Sequence, residues 1–197
     1  IREGRLVTFS NEKYEANAGA VAAIDVNTGE VLALASYPTY DINDFVNGIS
    51  SKKWKEITGN KLNPMFNRAI SGTYSPGSTY KMVTAIAGLE SGAINLNTKI
   101  NDTGVYKKYG ISMNCWYYTD YHRGHGYLNV SQAIEHSCNY FFYDLGDRLG
   151  IDNLAKFARY FGLGTKTGIE LPSETSGVLA SKESAKKSGK NWNPGDT

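Results

Sequence analysis

The chain has 197 residues, 41% of them apolar and 20% charged, with a formal net charge of +2. That length holds one large domain or two small ones around a buried core. The near-neutral charge argues against nucleic acid or an anionic membrane surface as the main partner, and no apolar run approaches the ~20 residues needed to cross a bilayer.

The sequence opens at Ile1-Arg2-Glu3-Gly4 with neither Met nor signal peptide. It closes in the turn-like Asn193-Pro194-Gly195-Asp196-Thr197, so it reads as a piece of a longer protein. Residues 1–18 are polar and mixed and are expected to be a connector from a preceding region. Gly19–Val26 and Glu30–Tyr37 are β-prone runs around Asn27-Thr28-Gly29, which predicts a hairpin that Pro38 ends. Residues 41–66 read as loops and a short helix.

After the turn-rich Gly72–Gly77, residues Ser78–Glu90 have helical character, with Met82, Val83, Ile86 and Leu89 at helical spacing and Gly92 as the stop. Residues 94–127 show no period and read as a long loop region. Two consecutive helices are predicted over Asn129–His136 and Asn139–Leu149, joined at Ser137-Cys138. A third covers Ile151–Phe161 and is closed by Gly162 and Gly164. Residues 170–191 are polar, then rich in Lys and Ser. Strands segregated from helices predict an α+β fold. The 14 tyrosines suit a groove that takes a polymer or peptide, or simply half-buried surface; both readings stay open.

Chemistry enters at Ser78 and Lys81. Residues i and i+3 share one helix face, and Ser78 lies where the positive end of the helix dipole favours a developing alkoxide. Serine is a weak nucleophile until a base takes its proton. Lys81 can be that base if burial lowers its pKa. Four residues alone are a poor signal, since an N-cap serine and a solvated lysine read the same way.

The surrounding blocks are more specific. Asn67-Arg68-Ala69-Ile70 and Tyr74-Ser75-Pro76-Gly77-Ser78-Thr79-Tyr80-Lys81, the hairpin, Ser137-Cys138-Asn139 and Phe161–Glu174 (FGLGTKTGIELPSE) occur in order. Over residues 18–197 the chain resembles the transpeptidase domain of class B penicillin-binding proteins, whose S-x-x-K element the serine β-lactamases share. The resemblance implies a penicillin-binding protein or serine β-lactamase-like fold, an antiparallel sheet flanked by helices, with only its N-terminal part in residues 19–197. It implies Ser78 as acylated nucleophile, Lys81 as base, and Ser137 and Asn139 as the second element. Lys166-Thr167-Gly168 mimics the family's third element but falls in the F-G-x-G block that caps a helix. The family's K-T-G strand lies downstream of an N-P-G-D-T-like segment, so residues 1–197 alone are expected to be inactive.

Cys115, Asp120, His122, His125 and Cys138 gather between the two catalytic elements, with Asp102 before them. Zn²⁺ takes four such ligands. Gly124-His125-Gly126 resembles a segment of elongation-type members, some of which bind zinc. That comparison implies Asp102, Asp120, His125 and Cys138 as ligands, with Cys115 and His122 in reserve. Free thiols and a Cys115–Cys138 disulfide remain open alternatives.

The function implied is peptidoglycan D,D-transpeptidation through a Ser78 acyl-enzyme that β-lactams also form. The alternatives are a β-lactamase or D,D-carboxypeptidase of the same superfamily, or a β-lactam sensor or scaffold without turnover. Implied partners are stem peptides, β-lactams, the remaining C-terminal polypeptide and a membrane glycan polymerase. The implied location is the extracytoplasmic face of the cell membrane, held by an N-terminal anchor.

Overall fold

The computed structural model describes residues 5–7, 13–15 and 17–196. The chain divides into two compact units, Ile1–Thr73 with Ile169–Thr175, and Tyr74–Gly168 with Ser176–Thr197.

In the first unit, β1 (Arg5–Val7) pairs antiparallel with β2 (Lys13–Glu15), so the expected connector carries a short ladder. The predicted hairpin is present as β3 (Gly19–Ile24) and β4 (Val31–Tyr37). Its turn is organised by Asp25, whose carboxylate accepts from the Asn27 and Thr28 N–H groups at 2.7 and 3.1 Å. Gly29 takes the positive φ of 78° that closes the turn. The short helix expected within 41–66 is α1 (Ser51–Thr58), capped by the Ser50 hydroxyl. The one-turn α2 (Arg68–Ser71) is tied to β4 through Ser36, which donates to the Asn67 side chain at 3.0 Å and accepts from Ala69 N–H at 3.1 Å. Arg68 holds the preceding loop through the carbonyls of Leu62, Asn63 and Phe66.

The second unit is built on α3 (Lys81–Glu90), entered through a 3₁₀ turn at Gly77–Tyr80. The apolar residues at helical spacing do not all lie on its core face. Met82 and Ile86 are 55% and 39% exposed, while Val83, Ala85, Ala87 and Gly88 are buried. Small residues win this face because a long helix packs close: a Cβ on Gly88 would lie 2.9 Å from Leu145 Cδ1.

The stretch read as loop holds β5 (Ile100–Asp102), a β6–β7 hairpin (Val105–Lys108 and Ile111–Asn114), α4 (Trp116–Tyr121) and β8 (Gly126–Leu128). β8 pairs antiparallel with β5. Strands of three or four residues are too short to show a period. Then follow α5 (Val130–Glu135), with an Asn129–Gln132 capping box, and α6 (Asn139–Tyr160). α6 breaks at Gly150 (φ 68°, ψ 160°), where the sequence predicted a boundary between two helices. α7 (Lys182–Lys187) lies in the polar tail. The core joins Ala85 and Ala87 of α3, Ile94, Ile100, Leu128, Val130 and Ala133 to Phe141, Phe142, Leu145, Leu149 and Leu154 of α6, and includes both cysteines.

Helices with antiparallel pairs make the fold α+β, as expected. Among the described residues the strands form four separate two-stranded ladders. No helix among them is long and apolar enough to cross a membrane.

Candidate active site

Ser78 is exposed in the 3₁₀ turn, after Gly77 at φ 57°. One turn later, Lys81 is half-buried and points to the α5–α6 junction. That junction has a specific construction. The Ser137 N–H donates to Ile134 O at 3.0 Å and the Cys138 N–H to Ala133 O at 2.9 Å. These are the two bonds of a Schellman cap on α5. Ser137 therefore occupies the left-handed position (φ 48°) where glycine is usual. Cys138 begins α6 at once as its N-cap, its sulfur accepting from Phe141 N–H at 3.4 Å. A helix end abutting a helix start turns Ser137 and Asn139 toward Lys81.

Lys81 Nζ donates to Ser137 O at 2.7 Å, Ser137 Oγ at 3.0 Å and Asn139 Oδ1 at 2.6 Å. The Ser137 hydroxyl donates to Ser78 Oγ at 3.0 Å. The structure thus joins all four sequence-identified residues in one chain, Ser78 to Ser137 to Lys81 to Asn139. Burial holds the Lys81 ammonium below the ordinary lysine range. The Phe142 ring, 5.8 Å from Nζ, faces the cation.

A proton route follows from donor arithmetic. As an ammonium, Lys81 fills three acceptors, and Ser137 Oγ donates onward to Ser78. As a neutral amine it keeps two N–H groups, which suit the two oxygens that only accept, Ser137 O and Asn139 Oδ1. Its lone pair then faces Ser137 Oγ, and both hydroxyls reverse, so the Ser78 proton passes to Ser137 and the Ser137 proton to Lys81.

The F-G-x-G block that holds Lys166-Thr167-Gly168 follows and caps a helix, as expected. It supplies the Schellman cap of α6, in which Gly162 (φ 75°) donates to Arg159 O at 2.9 Å and Leu163 to Ala158 O at 3.0 Å.

Behind the junction, Asp102, Cys115, His125 and Cys138 place one ligand atom each within 4.8 Å of one another. Three of the four expected ligands are here. Asp120 is not: it lies exposed on α4, and Cys115, the residue before that helix, stands in the cluster instead. His122 is also exposed, in a left-handed C-cap. A second thiol between two catalytic elements was the available signal for Cys115, since zinc favours soft ligands.

The cluster's geometry suits such an ion. A tetrahedral Zn²⁺ separates two sulfurs by about 3.8 Å and a sulfur from a nitrogen by about 3.6 Å, given its usual bond lengths. Cys115 and Cys138 Sγ are 3.9 Å apart, and Cys115 Sγ is 3.6 Å from His125 Nδ1. No disulfide joins the two cysteines. Asp102 Oδ2 and His125 Nδ1 share a 2.6 Å hydrogen bond that an ion would replace. Burial would raise the Asp102 carboxyl, but bonds from the His125 ring, from the Gly104 and His125 N–H groups and from the Cys138 thiol hold it below the usual range. Burial pushes the Cys138 thiol far up, so only a strong cation would keep it as thiolate. The loop before β8 approaches β5 too closely for a side chain: a Cβ on Gly124 would meet Asp102 O at 2.1 Å. His125 stacks on Tyr117 at 4.3 Å, and its Nε2 is buried without a hydrogen-bond partner.

Trp116, which the sequence reading did not single out, donates its indole N–H to both His136 O at 3.0 Å and Ser137 O at 3.1 Å.

Residues 19–192 match the family model of the penicillin binding protein transpeptidase domain. The chain is 38% identical over 194 residues to a peptidoglycan D,D-transpeptidase MrdA of Acinetobacter baumannii, covering 98% of this chain and 28% of that protein. It is 41% identical over 180 residues to the Escherichia coli K12 protein of the same name, covering 90% and 28%. Among solved structures it resembles Pseudomonas aeruginosa PBP2 in complex with WCK 5153, with a TM-score of 0.83 and 37% identity over 91% of this chain and 41% of that one. It also resembles Helicobacter pylori PBP2 in a complex with MreC, with a TM-score of 0.84 and 35% identity over 91% and 33%. The chain spans 28% of the length of the two MrdA relatives.

Proposed function

The chain belongs to the penicillin-binding protein transpeptidase domain family, and from that membership we propose that it supplies the nucleophile, base and proton relay of an elongation-type peptidoglycan D,D-transpeptidase. The observation that carries this reading is the unbroken hydrogen-bond chain from Ser78 Oγ through Ser137 Oγ to Lys81 Nζ, each link 3.0 Å.

In the proposed reaction, Ser78 Oγ attacks the carbonyl of the penultimate D-Ala of a stem peptide. Its proton passes through Ser137 to Lys81. The tetrahedral intermediate expels D-Ala, whose nitrogen takes that proton back along the same relay, leaving an ester on Ser78. An amine of a neighbouring stem attacks the ester and gives up a proton to Lys81 by the same route, and that proton returns to Ser78 Oγ as the ester C–O bond breaks, which restores the free hydroxyl. Asn139 Oδ1 holds Lys81 Nζ at 2.6 Å. A β-lactam acylates Ser78 by the same first step.

Asp102, Cys115, His125 and Cys138 would hold a structural zinc. Its chemistry there is to join β5, the start of α4, the start of β8 and the α5–α6 turn as thiolate, imidazole and carboxylate bonds, with no role in activating water. The proposed setting is the extracytoplasmic face of the membrane, beside a glycan polymerase of the cell-wall machinery. The MreC complex of the H. pylori relative and the peptidoglycan synthase complex among the structural neighbours support it.

Intact-mass analysis of the complete polypeptide after penicillin treatment tests the reading. One adduct on Ser78, absent from Ser78→Ala and persisting for hours, is expected. Release within minutes would indicate a β-lactamase or carboxypeptidase, and no adduct would remove the enzymatic reading.

A further inference from the structure

The Ser137 carbonyl takes two donors, Lys81 Nζ at 2.7 Å and Trp116 Nε1 at 3.1 Å. A carbonyl oxygen has two lone pairs, so Lys81 and Trp116 together saturate it. Trp116 bridges at the same time to His136 O at 3.0 Å. It therefore clamps the two successive carbonyls that flank the Ser137 N–Cα–C unit, the one residue of the turn in the left-handed region (φ 48°). A non-glycine residue there relaxes toward negative φ unless its surroundings hold it. Relaxation would rotate the Ser137–Cys138 peptide and carry away both the carbonyl and the hydroxyl that bind Lys81.

The indole itself is set by its position. Trp116 is the first residue of α4, directly after Cys115. Its ring meets Tyr117, Tyr121 and His125 edge-on, with centroids at 5.5, 6.4 and 5.7 Å. At 38% exposure the ring is not a core side chain, so its N–H bonds are its specific contribution.

We infer that Trp116 is a positioning residue for acyl transfer: its indole N–H holds the Ser137 peptide in the orientation that aligns Lys81 with the proton relay. This rests on the transpeptidase reading above.

The test removes one hydrogen. In the complete polypeptide, Trp116 is replaced by β-(3-benzothienyl)alanine, which keeps the ring shape and lacks the N–H, and separately by 5-fluorotryptophan, which keeps it. Stopped-flow acylation by a fluorescent penicillin separates the dissociation constant of the initial complex from the acylation rate constant. The loss of one aligned hydrogen bond predicts a fall of about tenfold in the rate constant for the benzothienyl variant. The dissociation constant, the Tm and the metal content should stay at wild-type values, and 5-fluorotryptophan should restore the rate. Trp116→Phe should show the same rate loss and serves as the genetically simple check. A benzothienyl variant within about twofold of wild type in acylation rate overturns the positioning role alone, because so small a change is below the worth of a hydrogen bond. A fall in rate matched by a fall in Tm or metal content also overturns it, in favour of a general structural role. Wild-type protein that acylates nowhere, or at a residue other than Ser78, defeats the transpeptidase reading first and this role with it.

Discussion

Lys81 Nζ lies 2.7 Å from the carbonyl oxygen of Ser137, so the candidate base is anchored by the backbone of the same residue whose hydroxyl relays its proton. Position 137 thus carries a backbone demand and a side-chain demand, and they favour different residues.

Ser137→Gly should separate the two demands. The left-handed cap position prefers glycine, so the fold should keep its Tm or gain about 1 kcal/mol in stability. The relay hydroxyl is gone, and acylation should fall by about 10²-fold or more. Ser137→Ala loses the hydroxyl and keeps the strain, so it should match the activity loss without the gain. Thermal melts beside penicillin acylation rates check this; a glycine variant that both melts lower and acylates normally would contradict it.

Acylation should rise with pH along a limb set by Lys81, which must be neutral to accept a proton. Burial lowers its pKa, so the limb should lie below the ordinary lysine range. The stability linkage has the same sign. A lysine whose folded pKa is depressed binds fewer protons folded than unfolded between the two values. Its contribution is therefore full above the unfolded pKa and is lost as pH falls through the folded one. The pH–rate profile of wild type checks this, and Lys81→Met should abolish the limb together with the activity.

Cys115→Ser and Cys138→Ser should each weaken zinc binding by more than about 100-fold, the upper end of what losing an outer-shell partner costs. Asp120→Asn should leave it unchanged, since that side chain is exposed and outside the cluster. Metal analysis of the purified variants, with competition against a zinc indicator, measures both. Equal loss in Asp120→Asn would restore the ligand set first expected from sequence.

Gly88→Ala sets two effects against each other. Alanine favours a helix interior by about 1 kcal/mol over glycine. Its Cβ would stand 2.9 and 3.0 Å from the Leu145 methyls and 3.0 Å from Ile94 Cγ1. Leu145 is fully buried, so overpacking should cost about 1–3 kcal/mol and outweigh the propensity gain. A lower denaturation midpoint is expected; a higher one would mean that the α3–α6 contact can open.

What could be read from the chain depended on the range of the interaction. The hairpin, the helix after Ser78 and the boundary at Gly150 rest on local signals: a turn sequence, an apolar spacing and a glycine. The site serines, Lys81 and Asn139 were singled out because the short motifs that hold them resemble, in order, those of a known family; spacing alone did not separate them from a helix cap and a solvated lysine. The strands β5 to β8 were not, because three or four residues carry no period and their pairing joins residues far apart in sequence. The buried face of α3 was not legible from its apolar spacing: Met82 and Ile86 are exposed because a close helix crossing selects small residues. Cys115 was ranked below Asp120 although both were near His125, and only the fold decides which of them faces Cys138.

Cys138 connects two structures that share no chain segment. It starts the longest helix and sits between Ser137 and Asn139, while its sulfur faces that of Cys115, 23 residues earlier. One of these thiols is of little use to an ion without the other. Across the evolutionary lineage of this domain, positions 115 and 138 should therefore covary, being retained as a pair or exchanged as a pair, even though only one of them lies inside a catalytic motif.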